Sequence, residues 1–138
     1  MIVLDTNILS EPFKPEPAPQ VLGWLDAQDI RTLFLTTITL AEVRTGIAVL
    51  PDGKRKSVLE QRFEGEVVPQ FNGRILPFDE PATVEFARLT ARLRAAGRGI
   101  DTMDALIAAV CLSTGHALAT RNVSHFKDTR IDLINPWG

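Results

Sequence analysis

A single cysteine, Cys111, rules out an internal disulfide framework, and the two histidines beside it are too few for a structural zinc site. Long apolar stretches are missing as well. The longest, Ala105 to Leu112, falls far short of the roughly 20 residues that span a bilayer. The apolar opening Met1 to Leu4 stops at Asp5 with no positive charge before it, unlike a secretory signal. There is no excess of positive charge to mark a nucleic-acid binder, since the formal net charge is −2. Repeats and low-complexity tracts are absent. What these absences leave is a soluble protein of a reducing cytoplasm, with no membrane partner. At 138 residues, 45% hydrophobic and 23% charged, the expectation is one globular domain over residues 1–138.

The sequence pattern alternates strands with helices. Met1–Leu4 is a short apolar β-type run that ends at the turn- and cap-forming Asp5-Thr6-Asn7. Glu11–Pro19 carries four prolines and reads as a loop. Val21–Ala27 reads as a short helix and Leu33–Thr36 as a buried strand. Thr37 is placed to cap a helix carrying Ile38, Leu40, Ala41, Val43, Ile47 and Leu50 at helical spacing. Pro51-Asp52-Gly53 breaks it, and a second helix is expected from Lys54 to about Val68. A third strand follows at Ile75-Leu76. Ala82, Phe86, Leu89 and Leu93 form one stripe of a helix that ends at Gly97. A helix from about Thr102 to Ser113, stopped by Gly115, leads to strands at Ala117–Thr120 and Ile131–Ile134. The expected fold class is α/β, with a mainly parallel five-stranded sheet covered on both faces.

Four acid or amide side chains lie where such a sheet would bind ligands, outside the carboxyl ends of its strands. Asp5 follows the first strand, Glu42 lies early in the helix after the second, and Asp104 opens the helix before the fourth. Asn122 follows the fourth strand by two residues. Each has an ordinary structural explanation. Asp5 can be a helix cap, Glu42 a surface acid and Asn122 a turn residue. Asp104 can complement a helix dipole, worth roughly 0.3–1 kcal/mol. Their joint placement is what those explanations do not cover. Asp104 adjoins the nearly all-apolar Ala105–Ala109, where an unpaired charge is costly, so it needs a cation or a donor. Asp101, one turn earlier, competes for the same role. A rim of carboxylates is met by a hard divalent cation, which points to metal-assisted phosphodiester chemistry. Basic residues concentrate in Lys54, Arg55, Lys56 and Arg62, and in Arg88, Arg92, Arg94 and Arg98, either as solvated helix faces or as phosphate-gripping surface.

The segments Ile2-Val3-Leu4-Asp5-Thr6-Asn7, Ala41-Glu42-Val43-Arg44-Thr45-Gly46, Met103-Asp104-Ala105-Leu106-Ile107-Ala108-Ala109 and Ala119-Thr120-Arg121-Asn122-Val123 carry a family resemblance. In this order they resemble the successive motifs of PIN-domain ribonucleases, more narrowly the VapC and FitB toxins of type II toxin–antitoxin modules. The resemblance covers nearly the whole chain. It implies a PIN-like three-layer α/β/α sandwich and Mg²⁺-dependent (or Mn²⁺-dependent) endonuclease action on RNA. Metal binding by Asp5 and Asp104 is implied, with Glu42 completing the acidic cluster. The family's fourth acidic position falls on Asn122, which adds no charge, and His125 stands where many relatives carry another Asp. Thr6 and Thr120 would supply hydroxyls to the site or the scissile phosphate. A homodimer and a small VapB/FitA-like antitoxin, whose tail covers the acidic site, are implied as partners.

Two other functions compete with the nuclease. A PIN fold lacking competent metal would be a binding module. A receiver-like signalling domain has the same alternation and size, but Asp5 has no adjacent acid and no Lys occupies the late position. Arg44 is expected to pair with an acid rather than a phosphate, and Cys111 to pack in the core. Trp24, Phe63, Phe71 and Trp137 are also expected to pack, although the first three lie on helices that could present an apolar surface to a partner.

Overall fold

A computed structural model describes residues 1–138. Five parallel strands, β1 (Ile2–Leu4), β2 (Leu33–Thr36), β3 (Ile75–Leu76), β4 (Ala117–Ala119) and β5 (Leu133–Ile134), form one sheet in the order β3-β2-β1-β4-β5. In register, Val3 lies opposite Phe34 on one side and Leu118 on the other. The parallel α/β alternation expected from the sequence is therefore present. A receiver-like order, 2-1-3-4-5, is not, which removes that alternative. The chain leaves β1 towards β2 and β3, then crosses to the far side of β1 to form β4 and β5. The carboxyl ends of β1 and β4 thus flank the point where the winding reverses, where open α/β sheets bind ligands.

Seven α-helices accompany the sheet: α1 (Thr6–Ser10), α2 (Pro19–Ala27), α3 (Thr37–Ala48), α4 (Lys54–Arg62), α5 (Glu80–Ala95), α6 (Thr102–Thr114) and α7 (Val123–Phe126). Strand residues alternate between two apolar clusters, as the period of two demands. Val3 and Leu118 face one cluster with Leu89 and Leu93 of α5 and Ile107, Ala108 and Cys111 of α6. Leu4, Leu33, Leu35 and Ala119 face the other, with Ile8 and Leu9 of α1, Leu40 of α3, Phe63 and Phe71. Each fully buried Ile, Leu or Phe contributes roughly 1.5–3 kcal/mol. This is the three-layer arrangement, and Cys111, Phe63 and Phe71 are core residues. Burial in that core pushes the Cys111 thiol up to about 12, far from a nucleophile's range.

Several boundaries differ from the sequence expectations. A short helix, α1, precedes the proline-rich stretch, which itself contains a 3₁₀ turn at Glu11–Phe13, and Pro19 opens α2. Thr36, not Thr37, caps α3, its hydroxyl oxygen accepting from the Thr39 N–H at 3.0 Å. The helix expected over Lys54–Val68 is α-helical only to Arg62. It widens to a π-turn at Phe63–Val67 and tightens to a 3₁₀ turn at Val68–Phe71. Pro69 explains the break, because it lacks an N–H and its ring clashes with the carbonyl four residues back. Asp101 caps α6 through the Met103 N–H, and Gly115 ends it in the left-handed region at φ 74°. No helix is long and apolar enough to cross a membrane.

Candidate active site

β1 is so short that its carboxyl end is reached within three residues, and the next residue, Asp5, starts α1. Asp5 is 5% exposed, so its carboxylate must be satisfied locally. Its Oδ1 accepts the Thr6 backbone N–H at 2.8 Å, and its Oδ2 accepts the Thr120 hydroxyl at 2.7 Å. Thr120, fully buried after β4, in turn accepts the Asn122 backbone N–H at 3.0 Å. Asn7 stitches the same corner. Its amide nitrogen lies 3.4 Å from Asp5 Oδ2, and its carbonyl oxygen accepts the Arg121 backbone N–H at 3.1 Å. Asp5 is thus the fixed floor of the site, tied to both central strands.

Two walls rise from that floor. On the α3 side, Glu42 is half-buried, and its Oε1 accepts the Thr6 hydroxyl at 2.9 Å. On the α6 side, Asp104 keeps only 20% of its side chain exposed, and its Oδ2 lies 3.3 Å from His125 Nδ1. Burial raises the Glu42 carboxyl above its ordinary value. The Thr6 hydrogen bond opposes this, and the charges of Asp5, Asp104 and Asp101 add to it. Burial likewise raises Asp104, and Asp5 and Asp101 raise it further, while His125 pulls it down. The charges of Asp5 and Asp104 are therefore felt at Glu42, and that of Asp5 at Asp104, although the three come from distant segments. The structure brings Asp5, Glu42 and Asp104 together, with Thr6 and Thr120 as hydrogen-bonding partners of two of them.

Asn122 stands at the same rim but contributes differently. It is exposed, precedes α7, and its side chain makes no hydrogen bond. Asp101 is the exposed cap of α6, so of the two competing acids Asp104 is the one held in the pocket. Sequence reasoning did not assign Asn7 or pair His125 with Asp104. Asn7 sits two residues after Asp5, the spacing at which an amide reaches a neighbouring carboxylate, and that was its one available signal. Arg44 is taken up by Glu64, its Nε and Nη2 donating at 2.8 and 3.0 Å, and so does not face the site.

No three of the histidine, cysteine, aspartate or glutamate side chains stand close enough to enclose an ion unaided. Magnesium does not require that, since it keeps several waters and commonly takes one or two carboxylates. The donor set is all oxygen, and a cation would relieve both the burial of Glu42 and Asp104 and the neighbouring carboxylate charge that raises them further. Asp5 and Asp104 with water-mediated help from Glu42 fit such an ion.

Residues 2–131 match the PIN domain family. The chain is 48% identical over 137 residues to the VapC ribonuclease Y4jK of Sinorhizobium fredii, covering 99% of this chain and 98% of the relative. It is 41% identical to Toxin FitB of Neisseria gonorrhoeae, covering 99% of each. The crystal structure of FitAcB from Neisseria gonorrhoeae superposes with a TM-score of 0.96 over 99% of both chains, at 41% identity. The residues of the acidic pocket fall within the matched segment, and the chain belongs to the PIN domain family.

Proposed function

We propose that this chain is the endoribonuclease toxin of a type II toxin–antitoxin module, hydrolysing RNA phosphodiester bonds at the Asp5–Glu42–Asp104 site with Mg²⁺. The observation that carries this is the convergence of three carboxylates from distant segments at the switch point of the sheet, two of them raised by burial first and by neighbouring carboxylate charge second. Similarity to a VapC ribonuclease and to Toxin FitB over the whole chain supports the RNA substrate and the toxin role. PIN-domain ribonucleases generally use a divalent metal ion.

Asp5 and Asp104 would hold Mg²⁺, or Mn²⁺ in its place. The ion, when bound, supplies Lewis-acid stabilisation of charge at the scissile phosphate and a more acidic water. Glu42 positions a water for attack on phosphorus and takes its proton. A carboxylate raised towards neutral pH is better suited to that than an ordinary one. Thr6 fixes the Glu42 carboxylate through its hydroxyl, and Thr120 fixes Asp5. Asn122, at the rim, orients water or substrate without adding charge.

The partner in this proposal is a small VapB/FitA-like antitoxin, and the setting is cytoplasmic, with the toxin as a homodimer. Support for an apolar partner segment comes from a groove of about 330 Å³ directly beside Glu42, lined by Phe13, Val43, Ile47, Leu59 and Phe63. The deciding experiment is RNA cleavage with Mg²⁺ and with EDTA. Wild type should cut only with the metal, and Asp5→Asn or Asp104→Asn should lower the rate by about 100-fold or more while both variants stay folded. Wild-type rates in both variants would refute the assignment.

A further inference from the structure

Beyond the acids, the largest cavity of the molecule, about 580 Å³, opens directly against Asp104 and His125. It lies between the loop before α6 and the segment after α7, and its walls include Arg98, Lys127 and Asp128. Its volume is that of a small-ligand pocket, and no Phe, Tyr or Trp lines it; its one aromatic ring, His125, is taken up by Asp104 at 3.3 Å. What it offers is charge and hydrogen-bonding groups. Arg98 and Asp128 form an ion pair, and Arg92 Nη1 donates to the Asp128 backbone carbonyl at 2.9 Å. These contacts commit Arg98 and neutralise Asp128. Lys127 is exposed and takes part in no ion pair, so it is the uncommitted cation of this wall.

We propose that this cavity is an RNA backbone subsite, in which Lys127 binds the phosphate next to the scissile one and so leads the strand onto Asp104. The inference rests on the nuclease function above and adds the path of the substrate. A strand running over the carboxylates meets strong repulsion from Asp101 and Asp104, and a free cation one phosphate away offsets it. The subsite reads no sequence, because a lysine contacts phosphate as a point charge. Arg98 acts as a positioning residue that holds the Asp128 segment, and with it Lys127, against the cavity.

The test uses the full chain carrying Asp5→Asn, so that RNA is bound and not cut. Binding of a short fluorescein-labelled single-stranded RNA of mixed sequence is followed by anisotropy across a salt series. Lys127→Ala should weaken binding several-fold and lower the slope of log affinity against log salt by about 0.7, the value for one phosphate contact to a single strand. Lys127→Glu should weaken it further. Arg31→Ala, which removes an exposed cation in the turn before β2, away from the cavity, should leave the slope unchanged. Unchanged binding in both Lys127 variants, or an equal loss of slope in Arg31→Ala, overturns the subsite. Wild-type cleavage measured alongside separates the two proposals. Mg²⁺-dependent cutting with indifferent Lys127 variants removes the subsite alone, whereas no cutting by wild type removes both.

Discussion

The two walls of the acidic site are built from opposite materials. The α6–α7 wall, behind Asp104, is a polar cavity of about 580 Å³ holding Arg98, Lys127 and Asp128. The α3–α4 wall, behind Glu42, is a groove of about 330 Å³ lined mostly by apolar side chains, with Arg55 its one cation. Between them the floor residue Asp5 is held by hydrogen bonds from Thr6 and Thr120. A polyanion gains little from an apolar groove, and an apolar partner segment gains little from a charged cavity. One site can therefore admit RNA from one side and meet an inhibitory partner from the other, and the two surfaces should be separable by mutation.

The sharpest way to break that separation is to place a charge in the groove. Leu59→Glu should weaken inhibition by the antitoxin at least about tenfold, as expected for a buried contact at the centre of an interface. RNA cleavage by the free toxin should stay near the wild-type rate. Equal loss of cleavage and inhibition would show that the two walls are not independent.

A smaller effect is expected at the floor. Thr120→Val keeps the shape of the side chain but removes the 2.7 Å hydrogen bond to buried Asp5, leaving a carboxylate oxygen poorly satisfied. A loss of about 1–3 kcal/mol in chemical denaturation is expected, together with slower cleavage. An unchanged denaturation midpoint would mean that Asp5 is held by other means.

The smallest effect, and one of opposite sign, belongs to the walls. Glu42 is raised by burial first and by Asp5, Asp104 and Asp101 thereafter. A carboxyl raised in the folded state favours folding when protonated. That contribution is complete below its ordinary value, 4.5, and disappears as the pH rises through the raised one. At neutral pH without a cation, the ionised Glu42 works against the fold. In EDTA, Glu42→Gln should therefore melt slightly higher than wild type at neutral pH, with the gap closing as the pH falls towards 4.5. Thermal melts that show Glu42→Gln less stable at neutral pH would remove the idea of a strained acidic pair.

Sequence periodicity foresaw the elements that bury whole faces. β2 and the run of α6 follow from Leu33–Thr36 and from the apolar Ala105–Ala109, and Gly115 marks the end of α6. The α1 and α7 helices, of five and four residues, are too short for a period of 3.6 to register. The π-turn at Phe63–Val67 has no counterpart in the local pattern, whereas Pro69, which breaks the segment after it, is visible in the sequence. Within the site, Asp5 was legible because it follows a recognisable strand, Asp104 because it lies in the first turn of a recognisable helix, and Glu42 because its helix follows a recognisable strand. The His125–Asp104 contact was not, because it joins two elements through tertiary packing alone. The contrast between the two walls was equally hidden, since Leu59 and Lys127 carry no local signal of what they face.

The most direct test is calorimetric titration of Mn²⁺ into the isolated chain, wild type against Asp5→Asn and Asp104→Asn. A saturable binding event in wild type that is lost in each variant is the predicted result. Binding that persists undiminished in both variants, or none in wild type, would contradict a shared metal site formed by these distant carboxylates.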